Sequence, residues 1–148
     1  MSKQWLAILI GGLLPAFFLG VSGVLQKTAS RTGIAPGPYI LIIGLVVAAI
    51  GGAVALAQRD VSVTVSGAVQ TAGFAALWSA GIFGIMLGLG KYEGQVSVIV
   101  PLYNMNTLVA VGIGLVLLGE WQGVNVWRLL AGTALIVAGG VLAGTSVK

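Results

Sequence analysis

The stretch Tyr39–Ala57 reads YILIIGLVVAAIGGAVALA and contains no charged residue. As a helix it would rise about 28 Å, close to the roughly 30 Å hydrocarbon core of a bilayer. It is apolar on every face, so no stripe separates a core side from a water side. A helix of that kind is stable where its whole surround is apolar, and the stretch is therefore read as a transmembrane span.

Four further stretches read the same way: Trp5–Leu25, Gly67–Leu89, Val96–Leu118 and Val126–Ala143. The separators Gln26–Pro38, Gln58–Ser66, Gly90–Gln95 and Gly119–Asn125 hold nearly all the charges and most of the turn formers. The pattern predicts an all-α, polytopic membrane helix bundle of five transmembrane helices in a single domain over residues 1–148. Composition agrees: 58% of residues are hydrophobic and 7% charged, with a mean hydropathy of +1.10, whereas soluble domains carry about 25% charged residues. At the N-terminus a lysine precedes the apolar run, but the run continues to Val24 without a clear small-residue cleavage pattern. It is read as a retained first helix rather than a signal peptide. Val61–Ser66 alternates like a short strand. Lipid admits only helices and closed barrels, so the segment is read as an extended linker leading into the third span.

The net charge of +4 comes from Lys3, Lys27, Arg31, Arg59, Lys91, Arg128 and Lys148 against Asp60, Glu93 and Glu120. The basic residues are scattered singly, forming no patch for nucleic acid, and flank the spans instead. With no Cys and no His, the chain lacks a disulfide framework and the usual residues of metal and imidazole chemistry. No metal or cofactor is expected. No nucleophile–base constellation can be assembled, so no catalytic residue is assigned and an enzyme is not expected. Trp5, Tyr39, Tyr92, Trp121 and Trp127 fall near span ends, the usual depth of interfacial aromatic anchors.

Five spans place the termini on opposite sides of the membrane. Lys3, Arg59 and Arg128 then face one side, and Lys27, Arg31, Lys91 and Lys148 the other, three against four. The bias that orients most membrane proteins is nearly absent. Either one helix or a partner resolves the orientation, or the chain inserts both ways; the second is the reading favoured here.

Polar residues, prolines and aromatics inside the spans are the candidates for function. Pro15 and Pro101 each remove a donor and free the carbonyl four residues back, at Gly11 and Ser97; they are read as hinges, with an inert kink as the plainer account. On the fourth span Ser97, Pro101 and Asn104 share a face, with Tyr103 and Thr107 at its edge and Asn106 almost opposite. On a regular helix the two asparagines cannot line one cavity. Asn104 is placed towards a cavity and Asn106 at a helix contact, although either amide could equally serve as interhelical glue. Phe18 and Ser22 continue a stripe from Pro15, while Trp78 lies mid-span beyond Thr71 and Phe74. Trp78, Phe18, Tyr103, Asn104 and Ser22 are thus candidate contacts for an amphiphilic or aromatic solute, with plain packing as the alternative. Gly84 and Gly88, and the seven-spaced Gly132 and Gly139, suggest close helix or subunit packing, as does Gly140-x-x-x-Gly144. No carboxylate lies mid-span. Glu93 and Glu120 are the only ones placed to titrate near a pathway, and capping or turn-anchoring roles suit them as well.

The stretch Tyr92-Glu-Gly-Gln-Val-Ser-Val-Ile-Val-Pro-Leu102, followed by Leu118-Gly-Glu120 and then Gly132, Leu135-Ile136 and Gly139, resembles the second part of an EamA-type repeat of the drug/metabolite transporter superfamily. The match covers about the last 55 residues; the first span has only the family's general look. Members of that family commonly carry two such repeats of opposite orientation. This chain has one, so the resemblance implies a half-length transporter, a single inverted-repeat unit in the cell (inner) membrane. It implies export or exchange of small metabolites or drug-like solutes by alternating access, as an antiparallel homodimer or with a related half-length chain. More distant small multidrug exporters use a carboxylate in the first helix, which is absent here. The competing expectation is a non-transporting scaffold or assembly subunit, or a passive lipid or ion pathway.

Overall fold

The computed structural model describes residues 2–146, all helices and connections, with no strand among them. We label the helices α1 (Lys3–Ile8), α2 (Leu14–Arg31), α3 (Pro36–Gln58), α4 (Val65–Leu89), α5 (Val96–Tyr103), α6 (Asn106–Leu117) and α7 (Val126–Gly144). A π-helical turn, Leu9–Leu13, joins α1 to α2, and a 3₁₀ turn, Glu120–Gln122, follows α6. These make five helical stretches long and apolar enough to cross a membrane: Lys3–Arg31, Pro36–Gln58, Val65–Leu89, Val96–Leu117 and Val126–Gly144. The protein is a multi-pass, all-helical membrane protein.

The helix starts follow from local chemistry. The Ser2, Thr64 and Asn125 side chains accept hydrogen bonds from the backbone N–H groups of Trp5, Gly67 and Arg128, satisfying donors that have no partner within the helix. Pro36 opens α3, where its missing N–H costs nothing. Before α4, residues 60–64 lie outside any helix, with Thr64 extended, and Val65 and Ser66 already belong to the helix, so the linker is shorter than Val61–Ser66.

The first span is longer than its apolar run. Gln26–Arg31, expected in a linker, continues α2. Nothing in that segment breaks a helix until Gly33, which adopts φ +79° and turns the chain. The interruptions at proline also take specific forms. Ahead of Pro15 the helix widens, and the Leu14 N–H reaches back five residues to the Leu9 carbonyl. In the fourth span the helix tightens after Tyr103, with Asn104 and Met105 still in right-handed helical conformation. Met105 N–H bonds to Leu102 O and Leu108 N–H to Met105 O, both i to i+3 contacts of 3.1 and 3.0 Å. The tightening that separates α5 from α6 falls at Asn104–Met105, so the step from Asn104 to Asn106 is not the uniform 100° of a regular α-helix.

The chain divides into two compact units. The first comprises the residues through Leu25 and those from Gly94 onward; here α7 packs against both α5 and α6. A Cβ built at Gly140 lies 2.9 Å from Met105 Cγ and 3.1 Å from the Pro101 carbonyl oxygen, and one at Gly144 lies 2.9 Å from Leu102 Cδ2. Bare backbone at these positions lets α7 lie directly on the broken span. The second unit, Gln26–Glu93, pairs α3 with α4. Its most buried apolar side chains, Met86 and Leu89, lie in the last turn of α4, and α3 has no buried residue.

Substituting Gly140→Val should therefore destabilise the protein by roughly 2 kcal/mol, because the Pro101 carbonyl is backbone and cannot move aside. Gly132→Val, facing open space, should stay within about 0.5 kcal/mol of the parent. Thermal unfolding in detergent, followed by circular dichroism, separates the two.

Candidate functional site

The break in the fourth span is the centre of the candidate site in the first unit. Asn104 caps the C-terminus of α5, and its carbonyl accepts both the backbone N–H and the hydroxyl of Thr107, at 3.1 and 2.8 Å. That arrangement fixes the turn through the main chain. The Asn104 side chain stays exposed, with no hydrogen bond among the described residues. Its amide, with donors and an acceptor, is therefore available at the discontinuity. Asn106 opens α6 and is also exposed.

Tyr103, the last residue of α5, is half-buried. Its hydroxyl oxygen lies 3.8 Å from a Cβ built at Gly23, and Val100 Cγ2 lies at 3.3 Å. Gly23, one of 24 glycines, thus brings α2 directly against α5. Sequence spacing does not single it out, because Gly23 belongs to no small-residue pair of the usual spacing. Ser22, beside it, donates its hydroxyl to its own Leu19 carbonyl at 2.9 Å. This back-bond occupies the only donor it could offer a solute. Phe18 is exposed and makes an edge-to-face contact with Phe17, with ring centroids 5.7 Å apart. Pro15 is half-buried immediately after the π turn, and Pro101 lies within α5 two residues before its end.

Glu120 behaves as an anchored residue. Its carboxylate oxygen Oε2 lies 2.8 Å from a Cβ built at Gly114, so the acid folds back over the last turns of α6. Gly119, at φ +66°, makes that reversal possible. Gly132 and Gly139 face open space on α7; the glycines that meet α5 and its break are Gly140 and Gly144.

In the second unit Trp78 lies midway along α4 and is 40% exposed. Gly84 faces open space, and Gly88 is half-buried one residue before the buried Leu89. A groove of about 700 Å³ runs along the N-terminal half of α4, lined by small residues including Thr64, Gly67, Thr71 and Ala75. Trp78 is not part of its wall. Glu93 lines a second, polar cavity with Lys27, Ser30 and Arg31. Gln26 is 6% exposed, and its amide Nε2 has no hydrogen-bond partner among the described residues. Placed in a linker by its polarity, it is instead a buried polar residue within α2. The absence of any helix breaker before Gly33 is the sequence signal for this.

Outside the spans, Asp60 accepts the Ser62 hydroxyl at 2.7 Å and the Ser62 N–H at 2.9 Å. These bonds, the hydroxyl first, hold its carboxyl below the ordinary carboxylate range. No metal-binding cluster of His, Cys, Asp and Glu exists among the described residues.

Comparison with protein-family models, curated proteins and solved structures finds no match.

A lowered folded-state pKa contributes stability above the unfolded-state value and loses it as pH falls through the folded one. Ser62→Ala should raise the Asp60 pKa part of the way back, because the backbone N–H at position 62 remains. The variant and its parent should then converge in thermal stability at acid pH, below the ordinary carboxylate range, and differ most above it. A carbon-detected NMR titration of the Asp60 carboxyl reads the shift directly.

Proposed function

We propose that the chain is one half of a membrane transporter for small amphiphilic or drug-like solutes, a half-length relative of the EamA-type drug/metabolite transporters in the inner membrane. One observation carries this reading. The fourth span is interrupted at Asn104–Met105, between an α5 of eight residues and an α6 of twelve. The backbone there keeps right-handed helical dihedrals but tightens to i to i+3 bonds, and such tightening inside a helix often marks a functional hinge. Transporters of inverted-repeat design form their solute sites near the bilayer midplane where helices depart from regularity, and the tightened turn is the position in this chain that suits that role. The exposed Asn104 amide stands at the break with no hydrogen-bond partner among the described residues.

The remaining features fit the same reading. An odd number of spans and a three-to-four balance of flanking cations suit a chain that inserts both ways and pairs with an inverted copy. A related half-length chain of fixed opposite orientation would complete the same arrangement. In the first unit Phe18 and Tyr103 would supply apolar wall and Asn104 an orienting amide, with Pro15 and Pro101 as hinges beside the π turn and the tightened turn; Trp78 would offer apolar surface in the second unit. Ser22 serves as a spacer beside Gly23, its hydroxyl already used. Glu93 and Glu120 are the carboxylates assigned to any ion coupling. The second reading, a non-transporting scaffold subunit, draws on α3, which has no buried residue and offers an entire apolar surface to neighbours.

Proteoliposomes loaded with a panel of fluorescent aromatic solutes distinguish the two. The transporter reading expects uptake or efflux of at least one solute, a thermal shift of the purified protein by that solute, and a loss of about tenfold or more in transport for Asn104→Ala and for Trp78→Ala. Full transport by both variants removes these residues from the site. No thermal shift with any solute, together with no flux, favours the scaffold.

A further inference from the structure

The polar cavity of about 360 Å³ in the second unit is lined by Lys27, Ser30 and Arg31 from the end of α2, by Leu89 and Gly90 from the end of α4, and by Glu93. Both helices finish here, at the edge of their membrane-spanning stretches, so the cavity opens at headgroup depth. Two of its walls are tied together, as Lys27 Nζ donates to the Leu89 carbonyl at 2.9 Å. The Ser30 hydroxyl donates to Lys27 O at 2.8 Å, leaving the lysine and arginine as the cationic donors of the cavity.

A cation in the last turn of a helix is ordinary, because the exposed carbonyls there favour positive charge. That accounts for Arg31. It does not account for an acid in the same cavity. Neither Arg31 nor Glu93 forms an ion pair or side-chain hydrogen bond among the described residues. Opposite charges line one polar space and remain apart. Glu93 is moreover held at φ +55°, a left-handed conformation uncommon for a residue with a side chain.

A ligand that satisfies the cavity carries a negative group for Arg31, with the charge of Lys27 nearby, and a positive group for Glu93, separated by a short arm. We propose that this cavity binds an aminophospholipid headgroup, with its phosphate on Arg31, near the charge of Lys27, and its primary ammonium on Glu93. The membrane supplies this ligand at the depth of the cavity, and basic pockets between membrane helices are suited to lipid phosphates. Arg31 offers the planar donor fork that matches a phosphate. The ammonium also meets the carbonyl end of α4, which carries partial negative charge. The proposal rests on this cavity alone and not on the transporter reading.

Native mass spectrometry of the detergent-solubilised full-length chain, titrated with phosphatidylethanolamine, phosphatidylcholine or phosphatidylglycerol, tests the assignment. The expected order is phosphatidylethanolamine first, retained about tenfold more strongly than phosphatidylcholine, whose methylated amine cannot donate to Glu93. Arg31→Gln should weaken retention of phosphatidylethanolamine and phosphatidylglycerol alike by about tenfold, with Arg31→Lys intermediate because it keeps the charge and loses the planar fork. Glu93→Gln should abolish the preference for phosphatidylethanolamine over phosphatidylcholine and leave phosphatidylglycerol unchanged. Stronger retention of phosphatidylglycerol than of phosphatidylethanolamine by the unmodified chain would overturn the assignment of the amine. That comparison needs no variant to fold. Equal retention of all three lipids would overturn the site, and so would folded glutamine variants that bind like the parent. Displacement of the lipid by an equal concentration of water-soluble phosphoethanolamine would make the occupant a soluble solute and overturn the lipid.

Discussion

Hydrocarbon offers a peptide group nothing to bond with, and each unsatisfied N–H or C=O there costs several kcal/mol. The main features of this chain answer to that constraint. It forces the apolar stretches into helices and gives the caps at Ser2, Thr64 and Asn125 their purpose. It also makes the prolines consequential. At Pro15 the backbone widens into a π turn that hands Leu14 N–H to Leu9 O. At Pro101 the span yields a few residues later, where tighter i to i+3 bonds take over at Asn104–Met105. The first solution widens the helix, whereas the second tightens it.

The few polar side chains within the spans divide along the same line. Ser22, Thr107 and Thr133 each donate a hydroxyl to a carbonyl of their own segment, which satisfies the donor locally and leaves little for a ligand. The amides behave differently. Asn104 is exposed beside the break, and Gln26 is buried with its amide nitrogen unpartnered among the described residues. Groups of this kind, held in an apolar surround without internal satisfaction, need an explanation outside their own helix. For Asn104 that explanation is the proposed solute site. Glycine completes the arrangement by removing bulk where backbones meet: Gly23 beneath Tyr103, and Gly140 and Gly144 against α5 and Met105.

Apolar length alone makes the five spans legible in the sequence, because about twenty uncharged residues admit few alternatives. Sequence periodicity does not supply the interior geometry of those spans. A uniform 100° step places Asn104 and Asn106 on opposite faces, but the step is lost at the Asn104–Met105 turn. Hydropathy ends the first span at Leu25, although a helix ends where its backbone is broken and polar residues at the interface carry it on to Arg31. Among 24 glycines, spacing alone does not separate Gly140, in contact with backbone, from Gly139, which faces open space. Nor does it show that Ser22 spends its hydroxyl on Leu19. Those distinctions depend on which neighbour lies across the helix, and a single sequence does not encode that in its periodicity.

If this chain works by meeting an inverted partner, the orientation of its C-terminus tests that most directly. Two reporters fused there, one active only on the cytoplasmic side and one only on the opposite side, report the fraction of chains in each orientation. Inverted pairing predicts substantial signal from both, shifting towards one side when a lysine is added to one set of loops. Signal from a single side, in cells that contain no oppositely oriented partner chain, would contradict it.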